Sequence, residues 1–313
     1  MIKNTLYFSV VLPAYNTPPD ILRRAIDSVL NQTYPYFELI IVDDGSEPSL
    51  EPIVKEYTDD RINFIRHPEN KGAGAAYNTG IKAAKYDWIA FICHDDEWLP
   101  NKLEVCVPYI VDNYPEYIFF FHLPIFIYDQ PINSAFNSSN SNVKPQNYYI
   151  NFLVGKNLII QTSCIFVHKE CFEKYGYYDE TGVLIDWDLY LHFSRYIDFY
   201  CINEFLSNYH ISPLGMTQGE YLILGDKAGN DVLKLFLKWQ NEIKKNKEAR
   251  KSWSIRLNAM AKWYLDKNNK KKAKQLYWLA IKLYPFWRGN YIDIIKSILW
   301  SKKRKNKNLQ VKG

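Results

Sequence analysis

Apolar runs alternate with segments of helical spacing over the first part of the chain. The short runs predict strands at residues 8–12, 38–42, 62–66, 88–93 and 117–127. Apolar residues three and four positions apart predict a helix that begins after Thr17, its expected N-cap, with Pro18 in the first turn. Further helices are expected near residues 51–57, 72–85 and 100–113. This alternation predicts βαβ crossovers and therefore a mostly parallel α/β sheet.

The second half of the chain has a different pattern. A Ser- and Asn-rich stretch at 133–147 predicts an exposed loop, followed by a helix near 148–154, a strand at 164–167 and a helix containing 188–196. Beyond residue 220 the pattern is helical. The spacing there resembles the helix pair of a tetratricopeptide repeat, carried by Ala273, Tyr277, Ala280 and Pro285. We expect this pair to pack against the first domain, with partner binding or dimerisation as the alternative.

The length and composition of the chain indicate how it is divided into domains. The 313 residues are 47% hydrophobic, which is enough for one large domain and an appendage. We expect a first domain at 1–219, a helical extension at 220–300 and a basic flexible tail at 301–313. The net charge of +5 is concentrated in that tail, at Lys302, Lys303, Arg304, Lys305, Lys307 and Lys312. Such a run is typical of a solvated tail or of a peripheral contact with an anionic membrane. Nucleic acid is not an expected partner, because no groove-reading motif accompanies the charge.

The cysteines and the N-terminus bear on the compartment. Five cysteines are scattered without a CxxC spacing, which argues against a zinc site or a disulfide framework. No signal-peptide pattern precedes the first predicted strand, and the longest apolar stretch, 117–128, is too short to span a bilayer. We therefore expect a cytoplasmic protein, peripheral at most to the inner face of the membrane.

Acidic residues follow two of the predicted strands. Asp43-Asp44-Gly45-Ser46 comes after the second strand, and His94-Asp95-Asp96 after the run at 88–93. In open α/β sheets, ligands bind beyond the carboxyl ends of the strands. Carboxylates placed there are costly to desolvate unless something pairs with them. The two acidic strand ends therefore predict one site that handles a sugar nucleotide and a metal ion.

The order of these motifs resembles the inverting family-2 glycosyltransferases, which have the GT-A fold. The resemblance spans about residues 6–215 and includes VLPAYN at 11–16, IIVDDGS at 40–46, NKG at 70–72, NTG at 78–80, HDDEWLP at 94–100, GYYDE at 176–180 and DWD at 186–188. It implies a Rossmann-like, mostly parallel sheet flanked by helices, with the C-terminal helices as an extension.

The resemblance also implies a donor site. Asp44 would accept the N–H of the pyrimidine base, while Asp43 supports the turn, because neighbouring strand residues point to opposite faces. The other expected donor-binding residues are Pro13, Tyr15, Asn16, Lys71, Gly72, Asn78 and Asp95, the last near the ribose. The small residues around 72–74 have an alternative role, which is to permit close approach of helix and sheet. An Arg that usually precedes the Asn of this helix is Tyr77 here, and Lys71 is the cation available in its place.

The same resemblance places a divalent cation, Mg²⁺ or Mn²⁺, on Asp96. Such an ion would stabilise the charge that develops on the diphosphate leaving group. Many relatives carry a further Asp at the position of Cys93, whose thiol is a poor ligand for a hard ion. His94 is expected to be structural.

Asp186 matches the general base of the family. An inverting transfer needs one in-line displacement, and a carboxylate must take the proton of the acceptor hydroxyl as it attacks. Asp188 would orient the loop or cap the following helix. Ile185 and His192 replace the usual Glu and Arg. Two segments of weaker resemblance are Thr162-Ser163, on the acceptor side, and the loop Tyr209–Thr217, with Gly215 and Gly219 as hinges.

The predicted function is a metal-dependent inverting glycosyltransferase of the hexosyltransferase type. It would move a sugar from a nucleoside diphosphate, with UDP expected, to a hydroxyl of a glycan or lipid-linked acceptor, in synthesis of surface polysaccharide or another glycan. The alternative is a catalytically silent scaffold that binds nucleotide sugars, motivated by the departures at 77, 93, 185 and 192. A nucleotidyltransferase ranks lower, because LPAYNTPP at 12–19 cannot cradle a triphosphate with backbone amides.

Overall fold

Two compact units make up the chain. The computed structural model describes residues 5–128, 147–154, 161–182, 184–211, 226–286 and 289. The first unit consists of residues 1–149 and 158–215, and the second of residues 150–157 and 216–313. The second unit therefore includes a short segment that precedes the last part of the first. The predicted tail at 301–313 and nearly all of the predicted loop at 133–147 lie outside the described residues.

A mixed eight-stranded sheet forms the first unit. Its strands are β1 (Phe8–Ala14), β2 (Phe37–Asp43), β3 (Ile62–Arg66), β4 (Trp88–Phe91), β5 (Glu97–Trp98), β6 (Phe119–Tyr128), β7 (Ile165–His168) and β8 (Tyr200–Ile211). The spatial order is β3-β2-β1-β4-β7-β6-β8-β5. The first four strands in this order are parallel, β7 is antiparallel to both its neighbours, and β8 is parallel to β6. This arrangement confirms the predicted mostly parallel α/β sheet.

Helices connect the strands and continue into the second unit. They are α1 (Pro19–Leu30), α2 (Glu51–Val54), α3 (Ala73–Ala83), α4 (Lys102–Asn113), α5 (Tyr149–Leu153), α6 (Glu170–Tyr175), α7 (Ile185–Phe193), α8 (Asp226–Lys245), α9 (Lys247–Asp266) and α10 (Lys270–Leu283). The expected N-cap role of Thr17 is wrong. Pro18 occupies the cap position of α1, no side chain caps it, and the buried Thr17 hydroxyl has no partner among the described residues.

Three elements were not predicted from the sequence pattern: β5, α6 and β8. In β8 the register with β6 shifts at His122/Leu123 and again at Leu123/Pro124. Extra residues in one strand break the alternation of buried and exposed positions on which strand prediction relies. Because β8 ends at Ile211, the predicted loop at 209–217 begins as strand. Its remaining residues, and Gly219, lie outside the described residues.

The core explains why α3 is built from small residues. Strands β1 and β2 are buried along their whole length. Gly80 of α3 lies so close to β1 that an added Cβ would be 2.3 Å from Cγ1 of Val11. Gly74, one of the small residues around 72–74, faces a different neighbour, because an added Cβ there would overlap the backbone of Asp179. The close approach to the sheet is therefore made further along α3, at Gly80.

Helices α8, α9 and α10 form the main described part of the second unit. The hydroxyl of Ser254 on α9 donates to the Ala280 carbonyl of α10 at 3.0 Å. The indole N–H of Trp253 donates to the Leu153 carbonyl at 2.7 Å, which ties the short segment to the helices. Ala273, Tyr277 and Ala280 are buried, as a packed helix pair requires. The tetratricopeptide-like character of this pair stays a prediction. No helix in the described part of the chain has the length and apolar character needed to cross a bilayer.

Replacing Gly80 with alanine tests the close approach of α3 and β1. Helix propensity alone would favour Gly80→Ala by about 1 kcal/mol, but overlap with Val11 typically costs about 1–3 kcal/mol. We expect Gly80→Ala to lower the free energy of unfolding in urea. In a Val11→Ala background, where the clashing methyl groups are gone, the same substitution should be neutral or stabilising. Equal effects in both backgrounds would contradict the contact.

Candidate functional site

Asp43 and the residues after it form a fixed turn at the end of β2. The Asp43 carboxylate is fully buried and accepts the backbone N–H of Ser46 at 2.9 Å and of Leu50 at 3.1 Å. Its second oxygen also accepts from the Arg66 guanidinium at 2.6 Å. These bonds neutralise the buried charge and hold the turn.

Asp44 is committed to the neighbouring loop. Its carboxylate accepts the backbone N–H groups of Lys71 at 2.9 Å and Gly72 at 2.8 Å, and His67 Nδ1 lies 2.7 Å away. The residue is only 2% exposed. An ionised carboxylate has about four acceptor positions, so one position is left for a nucleobase. The contact with the base stays a prediction, whereas the role of Asp44 in fixing residues 67–72 follows directly from the geometry.

Gly45 permits this arrangement. It has a φ of +72°, and a Cβ there would lie 2.3 Å from the backbone carbon of Glu69. The backbone of the loop at 67–72 therefore passes directly over the turn, where a side chain would block it. This close passage brings the N–H groups of Lys71 and Gly72 within reach of Asp44.

The end of β1 lies between these acidic strand ends. Pro13 is buried in the strand, whereas Tyr15 is 46% exposed. Asn16 has a φ of +47°, its N–H donates to the Ser46 hydroxyl, and its side-chain oxygen accepts from Glu47 N–H at 2.9 Å. Asn16 thus braces the turn after β2, and the Tyr15 ring is the exposed surface at this point of the edge.

Asn78 anchors a distant segment of the chain. Its amide donates to the Tyr178 carbonyl at 3.0 Å and to a Glu180 carboxylate oxygen at 2.9 Å, and it accepts from Tyr178 N–H at 3.0 Å. These bonds fix the segment at 178–180. The Asn78 side chain is buried, and its contact with the donor stays a prediction.

Asp95, Asp96 and Cys93 form a cluster after β4. One ligand atom from each lies within 4.8 Å of the others. Asp96 is fully buried; its carboxylate accepts from the Ser163 hydroxyl and from His210 N–H at 3.4 Å. Burial and, second, the charge of Asp95 raise the pKa of Asp96 to about 8. Asp95 is the more exposed of the two carboxylates.

Two oxygen donors in this cluster fit a hard divalent cation. Carboxylates suit Mg²⁺ or Mn²⁺, and a nearby cation would favour the ionised form of Asp96. Burial raises the pKa of the Cys93 thiol well above its usual value, which leaves a soft and neutral group. The residues therefore fit such an ion through Asp95 and Asp96, and Cys93 adds no suitable ligand.

A buried lysine supports this cluster, and sequence reasoning missed it. Lys102 of α4 has no solvent exposure; its ammonium donates to the Ser163 carbonyl at 2.6 Å and lies 3.6 Å from the centre of the Trp98 ring. Ser163 in turn accepts Cys93 N–H at 2.9 Å and donates to Asp96. Burial lowers the pKa of Lys102 to about 7. Lysine is almost never fully buried, so its sequence position on a predicted helix gave no signal.

Asp186 lies at the start of α7, half-buried beside a layer of buried tyrosines. It accepts Trp187 N–H at 2.7 Å, and burial raises its pKa. The charge of Asp186 contributes to the raised pKa of both Tyr178 and Tyr190, and Cys93 contributes to both as well. Because Asp186 and Cys93 both influence the same two tyrosines, Asp186 lies in the same part of the molecule as the cluster after β4.

Tyr77 belongs to this layer and replaces the cation expected there. Its ring stacks on Tyr178 with centroids 4.9 Å apart, and its hydroxyl lies 3.5 Å from Cys93 Sγ. The other departures from the family pattern are also accommodated: Ile185 is buried, and His192 Nε2 lies 2.8 Å from the Tyr175 carbonyl oxygen. Thr162, predicted on the acceptor side, has its hydroxyl 3.2 Å from that of Tyr190.

The order of the strands determines which of the predicted site residues lie at the same edge of the sheet. Strand β1 pairs with β2 on one side and β4 on the other, all parallel. Adjacent strands lie about 4.8 Å apart, so the acidic ends of β2 and β4 are separated by about 10 Å with Tyr15 between them. Lys71 is exposed beside this edge.

The chain is similar in sequence to several glycosyltransferases. The sequence profile of Glycosyl transferase family 2 matches residues 9–176. An uncharacterized glycosyltransferase of Rickettsia prowazekii is 29% identical over 324 residues, which cover 99% of this chain and 96% of that protein. The UDP-Glc:alpha-D-GlcNAc-diphosphoundecaprenol beta-1,3-glucosyltransferase WfgD of Escherichia coli is 39% identical over 105 residues, 34% of this chain and 41% of that protein.

A solved structure supports the fold. Residues 1–349 of TarS from S. aureus, crystallised with UDP-GlcNAc, superpose with a TM-score of 0.57 at 12% identity, over 87% of this chain and 90% of that chain. At this identity the similarity is one of architecture, and it agrees with the GT-A arrangement expected from the sequence.

The raised pKa of Asp96 predicts a pH-dependent stability in metal-free protein. The folded state keeps a proton on Asp96 up to about pH 8, whereas the unfolded state releases it near pH 4. Stability from this group is therefore full below pH 4 and is lost as pH rises toward 8. We expect the melting temperature of the wild type, relative to Asp96→Asn in chelator, to fall between pH 5 and pH 8. Asp112→Asn, an exposed change on α4, should show no such trend, and a flat difference for Asp96→Asn would contradict the shift.

Proposed function

Because the chain belongs to glycosyl transferase family 2, we propose that this glycosyltransferase is inverting, depends on Mg²⁺ or Mn²⁺ and takes its sugar from UDP. The observation that carries the proposal is the position of the acidic ends of β2 and β4, which lie on either side of the end of β1. Tyr178 lies close enough to both Asp186 and Cys93 to feel their charge, and Cys93 belongs to the cluster after β4. A nucleotide-binding end, a cation-binding end and a base are the three parts that such a transfer requires.

The donor would lie along this edge with its base toward the turn after β2. Tyr15 offers an exposed ring for stacking on the base, and the loop held by Asp44 presents Lys71 to the phosphates. In this arrangement Asp44 acts mainly by positioning residues 67–72. A remaining acceptor position could take the base N–H, as the resemblance implies. Pro13, Asn16 and Gly72 shape the backbone around the ligand.

A divalent cation would be held by Asp96 and Asp95, with Asp95 also near the ribose. When bound, the ion supplies Lewis-acid stabilisation to the diphosphate leaving group. The Ser163 hydroxyl donates to the Asp96 carboxylate, and Lys102 in turn donates to the Ser163 carbonyl. These two hydrogen bonds would fix the orientation of the carboxylate.

Asp186 would remove the acceptor proton. As the acceptor hydroxyl attacks the anomeric carbon, its O–H bond breaks, the proton passes to Asp186 and the bond to the diphosphate oxygen breaks on the opposite face. A raised pKa makes a carboxylate a better base near neutral pH, provided that it remains ionised. Burial raises the pKa of the nearby Tyr178 and Tyr190 well above the usual value, so these side chains stay protonated and provide no competing base.

The setting we propose is the synthesis of a surface polysaccharide or another glycan on the cytoplasmic side, with a glycan or a lipid-linked acceptor. The name of the E. coli relative gives a diphosphoundecaprenol-linked acceptor for that protein, which makes a lipid-linked acceptor a reasonable first candidate here. Contact of the tail at 301–313 with an anionic membrane belongs to the same proposal.

Replacing the proposed base separates catalysis from binding. Asp186→Asn should lower sugar transfer at least about 100-fold, while UDP-sugar affinity by calorimetry stays within about threefold. Asp188→Asn, two residues along the same helix, should lower transfer less than about tenfold. In the wild type, the rate should rise with pH through a pKa above the usual carboxyl range, because the base must be ionised. Full transfer by Asp186→Asn would contradict its role, and donor binding without transfer in the wild type would favour the silent scaffold.

The metal requirement has its own test. EDTA should abolish transfer, and Mn²⁺ or Mg²⁺ should restore it. Asp95→Asn and Asp96→Asn should each weaken Mn²⁺ binding, measured by calorimetry, at least about tenfold. Cys93→Ser, in the same cluster, should change it less than about twofold, since a thiol is a poor ligand for a hard ion. Full activity in EDTA, or equal weakening by all three variants, would overturn this assignment.

A further inference from the structure

The exposed side of α10 carries a regular row of basic and aromatic residues. Lys271, Lys274, Trp278 and Lys282 are all exposed. Their spacings of three and four place them on one face of the helix. Phe286, one turn further on and just past the helix end, is 85% exposed. We call this set of five residues the α10 stripe.

The remainder of α10 fixes the direction in which the α10 stripe points. The opposite side is buried, at Ala273, Leu276, Tyr277, Ala280 and Leu283. The hydrogen bond from Ser254 to the Ala280 carbonyl joins that side to α9. Because α10 is held by its apolar side, it cannot turn Trp278 inward. The 55% exposure of this large ring is therefore a built-in feature of the surface.

The α10 stripe carries charge of one sign. Helix α10 contains no acidic residue. Among the described residues, no carboxylate forms an ion pair with Lys271, Lys274 or Lys282. Residues 226–286 contain 16 lysines and arginines and only 5 acidic residues. A surface of this kind attracts an extended layer of negative charge.

We propose that the α10 stripe is a docking surface for an anionic lipid bilayer. Lysines attract anionic headgroups and can extend their ammonium groups toward them, while tryptophan occupies the headgroup region of a bilayer. A rigid helix that presents both along one face matches the interfacial binding mode, in which the helix lies in the membrane plane.

Membrane docking through the α10 stripe is separate from the proposed transfer reaction and does not depend on it. It also concerns residues different from the basic tail. Docking through the α10 stripe would place the second unit flat on the membrane, whether or not the acceptor is a lipid.

Vesicle sedimentation of the full-length protein tests the proposal. The probes are phosphatidylcholine vesicles with and without about one-third phosphatidylglycerol, at low and high salt. We expect binding only to the anionic vesicles and weaker binding at high salt. The triple variant K271Q/K274Q/K282Q should lose affinity by about fivefold per lysine, or about 100-fold in total. Trp278→Ala should weaken binding several-fold.

A matched control removes the same charge elsewhere in the unit. Lys244, Lys251 and Lys262 are exposed on α8 and α9, and K244Q/K251Q/K262Q should retain most of the binding. Equal loss in both triple variants would overturn the assignment to α10, as would absence of binding by the wild type. Glutamine replacement of the lysines at 302, 303 and 305 measures the separate contribution of the tail. Loss of binding in this variant alone would contradict the α10 stripe.

Two further measurements test whether the variants fold and whether they change oligomeric state. Circular dichroism melting should show that the variants fold like the wild type, since the side chains changed on α8, α9 and α10 are exposed. Sedimentation velocity without vesicles should show the same oligomeric state for wild type and Trp278→Ala. A change of oligomeric state in that variant, without vesicle binding by the wild type, would assign the surface to contacts between copies. UDP-sugar hydrolysis in solution should be the same for these variants as for the wild type. Failure of the membrane proposal can therefore be distinguished from failure of the proposed transfer reaction.

Discussion

The buried contact between Asp96 and Ser163 is the constraint on which the site depends. It joins the segment after β4 to the start of β7, and Lys102 holds the same serine through its carbonyl. An acid and an amine without solvent exposure both need polar partners, whatever their charge. Both find them at Ser163, so the geometry of the acidic cluster is set by the core and not by a surface loop.

This arrangement leaves a site with contrasting halves. The half near β2 is held by backbone N–H groups and by His67, with Asp44 as the common acceptor. The half near β4 is held by side chains beneath it and is lined by Tyr77 and Tyr178. In the proposed reaction, the polar half would hold the base of the donor, and the aromatic half would lie next to Asp186, the proposed general base.

Sequence reasoning predicted the parallel part of the sheet well because each strand there is a short apolar run with a helical pattern after it. It located the acidic strand ends because carboxylates beside buried strands are unusual. It failed where tertiary structure overrides local pattern: shifts of register in β8 hide its alternation, and Pro18 displaces Thr17 from the cap of α1. Asn78 and Lys102 show the same limit, since only the fold reveals that one anchors a distant segment and that the other is buried.

The path of the chain between its two units has a practical consequence. The segment at 150–157 belongs to the helical unit, although it comes before β7, α7 and β8 in sequence. Phe152, Leu153 and Val154 are buried there, and the Leu153 carbonyl accepts the Trp253 indole N–H. Truncating the chain after residue 215 would therefore strip these three apolar side chains of their cover and invite aggregation. Separating the halves cleanly calls for replacing that segment with a polar linker as well as deleting the C-terminal helices.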